Sequence, residues 1–437
     1  MTTRRTFIKR TTAATAAVGI AASMPAAMSA CSPDKLVRCG LIGAKGMGFS
    51  DLRAFLGQPN TECVAICDVD KRVLDARLAD TEKLQGKKPK AYSDYRQLIA
   101  DEEVDIVIIG TPDHWHCLPF VEACQAGKAI YCEKPLGNSI EEINLMEAAA
   151  NKYNTVVQVG QWQRSDPHWR DAVEYVNSGK LGKIRTVRTW SYQGWMEPVP
   201  VKPDGEVPAG VDYDFWLGPA PKRPFNPNRF HFNFRWFWDY AGGLMTDWGV
   251  HIIDYGLYGM NAKAPKSVMA MGGKMAYPDD ASETPDTLQA LYEFDDFTML
   301  WDHGTGIDGG YFGRTHGVAF VGNNGTLVVD RIGWEVIPER KNKQDLVERV
   351  ELQKGNGKGL ELHMANFLEG VRSGNRNLNC SIEIAANTAR VAHLGNIALQ
   401  TGRRLYWDHE NRRFVNDEEA NQYLVPSYRS PWKLPQV

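Results

Sequence analysis

The chain has 437 residues, 43% of them hydrophobic and 24% charged, and a net charge of −3. That describes a folded soluble protein of two to three domains, at about 150 residues per domain. The small charge excludes nucleic acid and an anionic bilayer as natural partners, and no apolar run is long enough to span a membrane.

Residues 1–31 read as an address. Arg4-Arg5 followed by Phe7-Ile8-Lys9 and an Ala-rich run resembles a twin-arginine signal, so export of the folded chain to the periplasm or cell envelope is expected. Met28-Ser29-Ala30-Cys31 resembles a lipobox, which makes Cys31 a candidate lipid anchor, with ordinary cleavage nearby as the alternative. The other cysteines, including Cys39, Cys63, Cys67, Cys117, Cys124 and Cys132, fall in or beside apolar runs without a CxxC. They read as packed thiols with no catalytic role.

From residue 36 the pattern alternates between short apolar runs and amphipathic segments. Strands are expected at 37–43, 63–69, 104–110, 129–133 and 156–160, and helices at 50–56, 71–84, 116–126 and 140–151. Continuous apolar strands alternating with helices imply an α/β, doubly wound Rossmann fold: a parallel sheet with ligands bound beyond its carboxyl ends. The first strand runs into Gly43-Ala44-Lys45-Gly46-Met47-Gly48, a phosphate-binding turn with Lys45 where the second glycine usually stands. Asp68 ends the second strand, where a carboxylate accepts the ribose hydroxyls and repels a 2′-phosphate. That favours NAD, although Lys71 and Arg72 leave NADP open. Thr111, Asp113 and His116 follow one later strand, and Glu133 and Lys134 end the next. His114 and His116 lack the nearby carboxylate or Cys partners of a metal site, so no metal is expected. A Lys beside the cofactor crevice suits the activation of a substrate hydroxyl.

A helix is expected near 167–178 and a strand at 183–194. The segment 195–229 holds eight of the 23 prolines and reads as an ordered loop over a site. From Phe230 to Tyr240, aromatic residues alternate with mostly polar ones. That run fits either a sugar-binding wall or a half-buried strand. Gln161, Trp162, Gln163 and Arg164 form a second candidate wall at the domain junction. As a helix, 242–258 places Asp247, His251, Asp254 and Tyr258 on one face. Such a pair fits a proton-shuttling His oriented by a carboxylate, or a satisfied polar stripe. Further strands are expected at 287–293, 298–303, 317–321 and 325–329, then helices at 360–373 and 382–401.

GLIGAKGMG, CDVD, TPDHWH, the tripeptide EKP and DWGVH, in this order, resemble the glucose-fructose oxidoreductase / inositol dehydrogenase (Gfo/Idh/MocA) family. The resemblance runs from about Leu36 to the end. It implies a Rossmann domain, here 36–162, and an α+β substrate and oligomerisation domain with a large open, mostly antiparallel sheet, here 163–437. It also implies an enzyme moving a hydride between a carbohydrate CH–OH and NAD, in a dimer or tetramer. Lys134, Asp247 and His251 are then the expected catalytic residues, and Trp162 and Arg164 join the last two as expected substrate contacts. The expected cofactor contacts are Gly43, Lys45, Gly46, Met47, Gly48, Asp68, Thr111, Asp113, His116, Glu133, Lys134 and Gln163. Two other readings stay open: a redox-neutral glycosidase working through a 3-keto sugar, and a non-catalytic sugar-binding lipoprotein.

Overall fold

A computed structural model of the chain describes residues 35–437. The twin-arginine motif and Cys31 lie outside the described residues.

The first half alternates β1 (Val37–Ile42), α1 (Met47–Leu56), β2 (Thr61–Cys67), α2 (Lys71–Gln85), β3 (Lys90–Tyr92), α3 (Tyr95–Ala100), β4 (Ile106–Ile109), α4 (Cys117–Gln125), β5 (Ala129–Cys132), α5 (Ile140–Lys152) and β6 (Val157–Val159). The six strands are parallel in the order β3-β2-β1-β4-β5-β6. Every residue of β4 and β5 is buried, because helices cover both faces of a parallel sheet. The order reverses between β1 and β4, which opens a crevice beyond their carboxyl ends. The sequence pattern does not reveal β3 and α3, since a three-residue edge strand with two exposed residues has no periodicity to read.

After α6 (Pro167–Asn177), β7 (Ile184–Gln193) enters a second sheet. Between it and the next strand come α7 (Tyr213–Leu217), α8 (Gly243–Asp247) and α9 (Gly249–Met260). The sheet continues with β8 (Ser267–Gly273), β9 (Thr287–Glu293), β10 (Thr298–Thr305), β11 (His316–Gly322), β12 (Gly325–Val329) and β13 (Gly333–Pro338). A small hairpin, β14 (Arg340–Lys341) and β15 (Gln344–Asp345), precedes β16 (Val350–Lys354), α10 (Gly359–Ser373), α11 (Ile382–Thr401), β17 (Leu405–Asp408), β18 (Arg413–Phe414) and α12 (Glu418–Gln422). The ten strands run β16-β13-β12-β11-β7-β10-β9-β8-β17-β18, antiparallel except where β10 lies parallel to β7. In β9, Leu288, Ala290 and Tyr292 point inward at 0% exposure while Leu291 and the polar residues alternate outward. The inner face packs on Trp169 of α6, Ile253 and Tyr255 of α9, and Val391 and Leu394 of α11.

The two halves interlock. Ile382, Ala385, Ala386 and Ala389 of α11 join the core over Cys132, Val157 and Val159. Met364, Phe367 and Leu368 of α10 join Leu41, Phe55 and Tyr131 on the opposite face. Helices late in the sequence therefore complete the layers around the first sheet. All seven described cysteines are free and buried.

The Pro-rich segment is ordered across the end of β2. The Lys71 N–H donates to Gly210 O at 2.9 Å and the Asp212 N–H to Val69 O at 3.0 Å. The alternating run that follows is not a strand. His231 takes φ 56° and residues His231–Trp236 form a 3-10 helix. Phe230, Phe234, Trp236 and Tyr240 enter a cluster with Tyr213, Trp216 and Phe225, so the aromatic residues point inward from all sides of the segment. Phe232 stays 52% exposed.

Candidate active site

The 242–258 stretch is two helices, and the break builds the site. Trp248 closes α8 and opens α9. The His251 N–H turns back to Trp248 O at 3.0 Å, which frees the Asp247 carbonyl from its helical partner. Lys134, at the end of β5, takes that carbonyl at 3.1 Å and Asp247 Oδ1 at 2.6 Å. Arg235 Nε donates to the same Oδ1 at 3.1 Å.

These contacts correct the expected His–Asp pair. Asp247 is held by two cations, and His251 Nδ1 is buried with no protein partner among the described residues. Burial by itself would push the Asp247 carboxyl up. The Lys134 and Arg235 charges override it and hold the group well below the carboxylate range. Burial, reinforced by Lys134 and Arg331, pulls the His251 imidazole well below its ordinary value, so it is neutral near pH 7. Trp162 and Trp248 flank it edge-on, each with a ring centroid 6.4 Å away.

Lys134, Asp247, His251 and Trp162 line one cavity of about 770 Å³ with Gly43, Lys45, Gly46, Met47, Asp68, Thr111, Asp113 and Glu133. Burial lifts both Asp113 and Glu133 to about 7, against the opposing charge of Lys134. At the turn, Gly43 (φ 81°) lies so close to β4 that a Cβ would meet Thr111 N at 2.7 Å. A Cβ on Gly48 would run into the Gly43 carbonyl. The first amides of the ten-residue α1 have no side-chain cap, and Gly46 before them faces open space. Uncapped amides behind a glycine turn are an anion cradle. Asp68, fixed by the Ala44 and Asp70 amides at 2.9 Å each, lines the cavity where a ribose would lie. Arg72 pairs with Asp70 and Lys71 with Asp75, both cations on the surface, so the carboxylate of Asp68 is the group that disfavours a 2′-phosphate. Tyr95, Trp115 and Phe215 extend the lining, with Trp115 and Phe215 stacked at 5.2 Å. These residues fit a dinucleotide without a 2′-phosphate.

Other expected contacts lie elsewhere. Arg164 donates to Asp254 Oδ2 at 2.6 Å and Oδ1 at 2.9 Å, fully buried, over the Tyr258 ring. It is a structural tie between the 3-10 turn Trp162–Ser165 and α9 rather than a substrate contact, because both its charge and its flat face are used. Gln163 accepts from Arg331. His116 Nε2 pairs with Thr111 O at 2.9 Å, and His114 Nε2 with Trp216 O at 3.0 Å. Gly48 packs inside the turn. Sequence reading offered Arg235 as a sugar-hydroxyl contact rather than as a partner of Asp247, and it missed Arg331. Arg235 sits in what reads as a strand, and Arg331 is a lone Arg in a hairpin with no motif around it.

Residues 37–161 match the Gfo/Idh/MocA oxidoreductase family's NAD-binding Rossmann fold, and residues 176–434 match its C-terminal alpha/beta domain. Uncharacterized oxidoreductase ORF334 of Rhizobium meliloti is 29% identical over 42% of this chain and 54% of its own length. Uncharacterized oxidoreductase YrbE of Bacillus subtilis is 26% identical over 56% and 60%. A glycosyl hydrolase family 109 protein of Shewanella sp. W3-18-1 is 36% identical over 24% of each chain. The chain thus spans little more than half the length of the first two relatives and a quarter of the third. Levoglucosan dehydrogenase, solved with NADH and levoglucosan, is 18% identical over 85% of this chain and 99% of its own, at a TM-score of 0.64. The WlbA dehydrogenase of Bordetella pertussis, solved with NADH and UDP-GlcNAcA, gives 18%, 85%, 99% and 0.62. These two are likenesses of fold.

Proposed function

The chain belongs to the Gfo/Idh/MocA oxidoreductase family, and from that premise we propose that it is an exported NAD-dependent enzyme oxidising a CH–OH carbon of a sugar, polyol or glycoside. The observation that carries the reading is the meeting of Lys134, Asp247 and His251 in the cavity whose other end is the glycine turn. When bound, NAD supplies the hydride acceptor. Neutral His251 receives the hydroxyl proton during oxidation and returns it during reduction. Two of the three Lys134 N–H groups go to Asp247, which leaves one aimed at a substrate oxygen to stabilise developing alkoxide charge. Trp162 offers an apolar face to the C–H side of a pyranose.

Free NAD is scarce outside the cytoplasm, so an exported enzyme has to keep its nucleotide. The segment laid across the end of β2, with His231 Nε2 3.0 Å from Asp70 Oδ2, supports such retention. A homo-oligomer through the open sheet face is part of the reading, because Met269, Met271 and Leu291 are exposed there.

The likeness to family 109 glycosyl hydrolases favours a second reading. Oxidation at C3 acidifies C2–H, elimination at C1 expels the aglycone, water adds, and C3 is reduced again, so the net reaction is hydrolysis. One experiment separates the readings. Protein purified without added nucleotide is denatured, the released nucleotide is weighed, and the native protein is followed at 340 nm with sugars and glycosides. Bound NAD that sugars reduce in place supports the oxidoreductase. Glycoside cleavage with no net NADH supports the hydrolase. Sugar binding with no nucleotide, even after adding NAD, would leave only a binding protein.

A further inference from the structure

We propose that Arg331 is an anion-binding residue in the substrate half of the cavity, and that the natural substrate is a pyranose carrying a carboxylate or sulfate. The inference rests on the carbohydrate reading above and names the class of sugar. Arg331 lies in the turn between β12 and β13 and lines the cavity with Trp162, Trp248 and His251. Its guanidinium lies 4.9 Å from the Trp162 ring centroid and 4.5 Å from that of Trp248. Nε and Nη2 donate to Gln163 Oε1 at 3.2 and 3.0 Å, which fixes the plane of the group. Nη1 has no partner among the described residues.

Among the described residues no carboxylate makes an ion pair with this cation. Asp330, its neighbour in sequence, pairs with Arg314 at 2.8 Å. Asp247 is shared by Lys134 and Arg235. Glu361 lines the same cavity but is exposed and makes no ion pair among the described residues. Lys134, Arg235 and Arg331 thus share the cavity with one ion-paired carboxylate, Asp247, and with Asp113 and Glu133, which burial lifts to about 7 and which make no ion pair with Arg331 among the described residues. A desolvated, unpaired guanidinium is costly to keep, and burial pulls this one down to about 10 against the attraction of Asp247. The donors that remain, two on Nη1 and one on Nη2, still form an end-on fork that matches the two oxygens of a carboxylate, or of a sulfate, in a way a lysine does not. The pyrophosphate of a dinucleotide is not the partner, because the glycine turn with Lys45 meets that charge at the other end. The two tryptophans that touch Arg331 also flank His251, which puts the anion subsite on the same pair of rings as the reacting end of the cavity.

The test is binding to the NAD-saturated full chain by calorimetry. The probes are methyl β-glucuronide, glucose 6-sulfate and methyl β-glucoside, and the proteins are wild type, Arg331→Lys and Arg331→Met. Wild type is expected to bind at least one anionic probe roughly tenfold or more tighter than the neutral glucoside. Whichever anionic probe is preferred identifies the group recognised. In Arg331→Met the ratio of anionic to neutral affinity should fall to about one, while Arg331→Lys keeps part of it. Equal binding of all three probes by wild type would overturn the inference, as would a loss of NAD affinity in Arg331→Met as large as its loss of anion affinity. The two readings fail separately. Neutral sugars that reduce NAD while anionic ones do not bind would sink the anion subsite alone. Tight binding of the glucuronide without any change at 340 nm or cleavage would sink the oxidation and leave the subsite.

Discussion

Lys134 donates to Asp247 twice, to the carboxylate Oδ1 at 2.6 Å and to the main-chain carbonyl at 3.1 Å. The second bond exists only because the helix breaks at Trp248, so the break ties the end of the first sheet to the last residue of α8 and brings Lys134 into the cavity with His251.

Replacing Lys134 by Ala removes the remaining N–H donor at the substrate oxygen without touching the glycine turn. Turnover should fall by roughly two or more orders of magnitude, with the NAD dissociation constant changed only a few-fold. Calorimetry with NAD and steady-state rates on the best sugar make the comparison. A normal rate would remove Lys134 from the chemistry.

Arg164 and Asp254 form a pair at 2.6 Å with Asp254 fully buried. Arg164→Ala should cost about 3–5 kcal/mol in denaturant unfolding, because a buried carboxylate loses its cation. Arg164→Met with Asp254→Leu should recover much of that loss. If Arg164→Ala instead leaves stability alone and raises KM, Arg164 is a substrate contact after all.

Stability should rise with pH between about 4 and 6.5. Burial lowers His114, His116, His231, His303, His316 and His363 to about 4 each, so in that window the unfolded chain binds more protons at these six sites. Asp113, Glu133 and Glu142 act in the opposite sense, since burial raises each to about 7 and the folded chain keeps their protons. Asp51, fully buried, is raised as well and adds to that side. His251, His393 and His409 are lowered too, and Asp68, Glu122 and Asp239 are raised, so nine histidines stand against seven carboxyls and Tm at pH 5 should lie below Tm at pH 7. A higher Tm at pH 5 would mean the carboxyls dominate.

Much of this molecule is legible without coordinates. The strand–turn–helix around Gly43, the carboxylate at the end of β2 and Lys134 at the end of β5 follow from short-range pattern, because buried parallel strands are continuous apolar runs and each turn needs particular residues. Most long helices and the central strands of the second sheet are readable for the same reason. Tertiary structure decided the rest. Asp247 and His251 stand four apart in a sequence that reads as one helix, yet Lys134, 113 residues away, and Arg235, on the preceding segment, claim the carboxylate. Arg164 goes inward because Asp254 sits on the buried face of α9, and Arg331 goes to the cavity because β12 and β13 bring their turn to Trp162 and Trp248. Periodicity reports which way a side chain faces relative to its own element. Which charge meets which across the fold is set by packing between elements far apart in sequence, and local pattern carries no record of it.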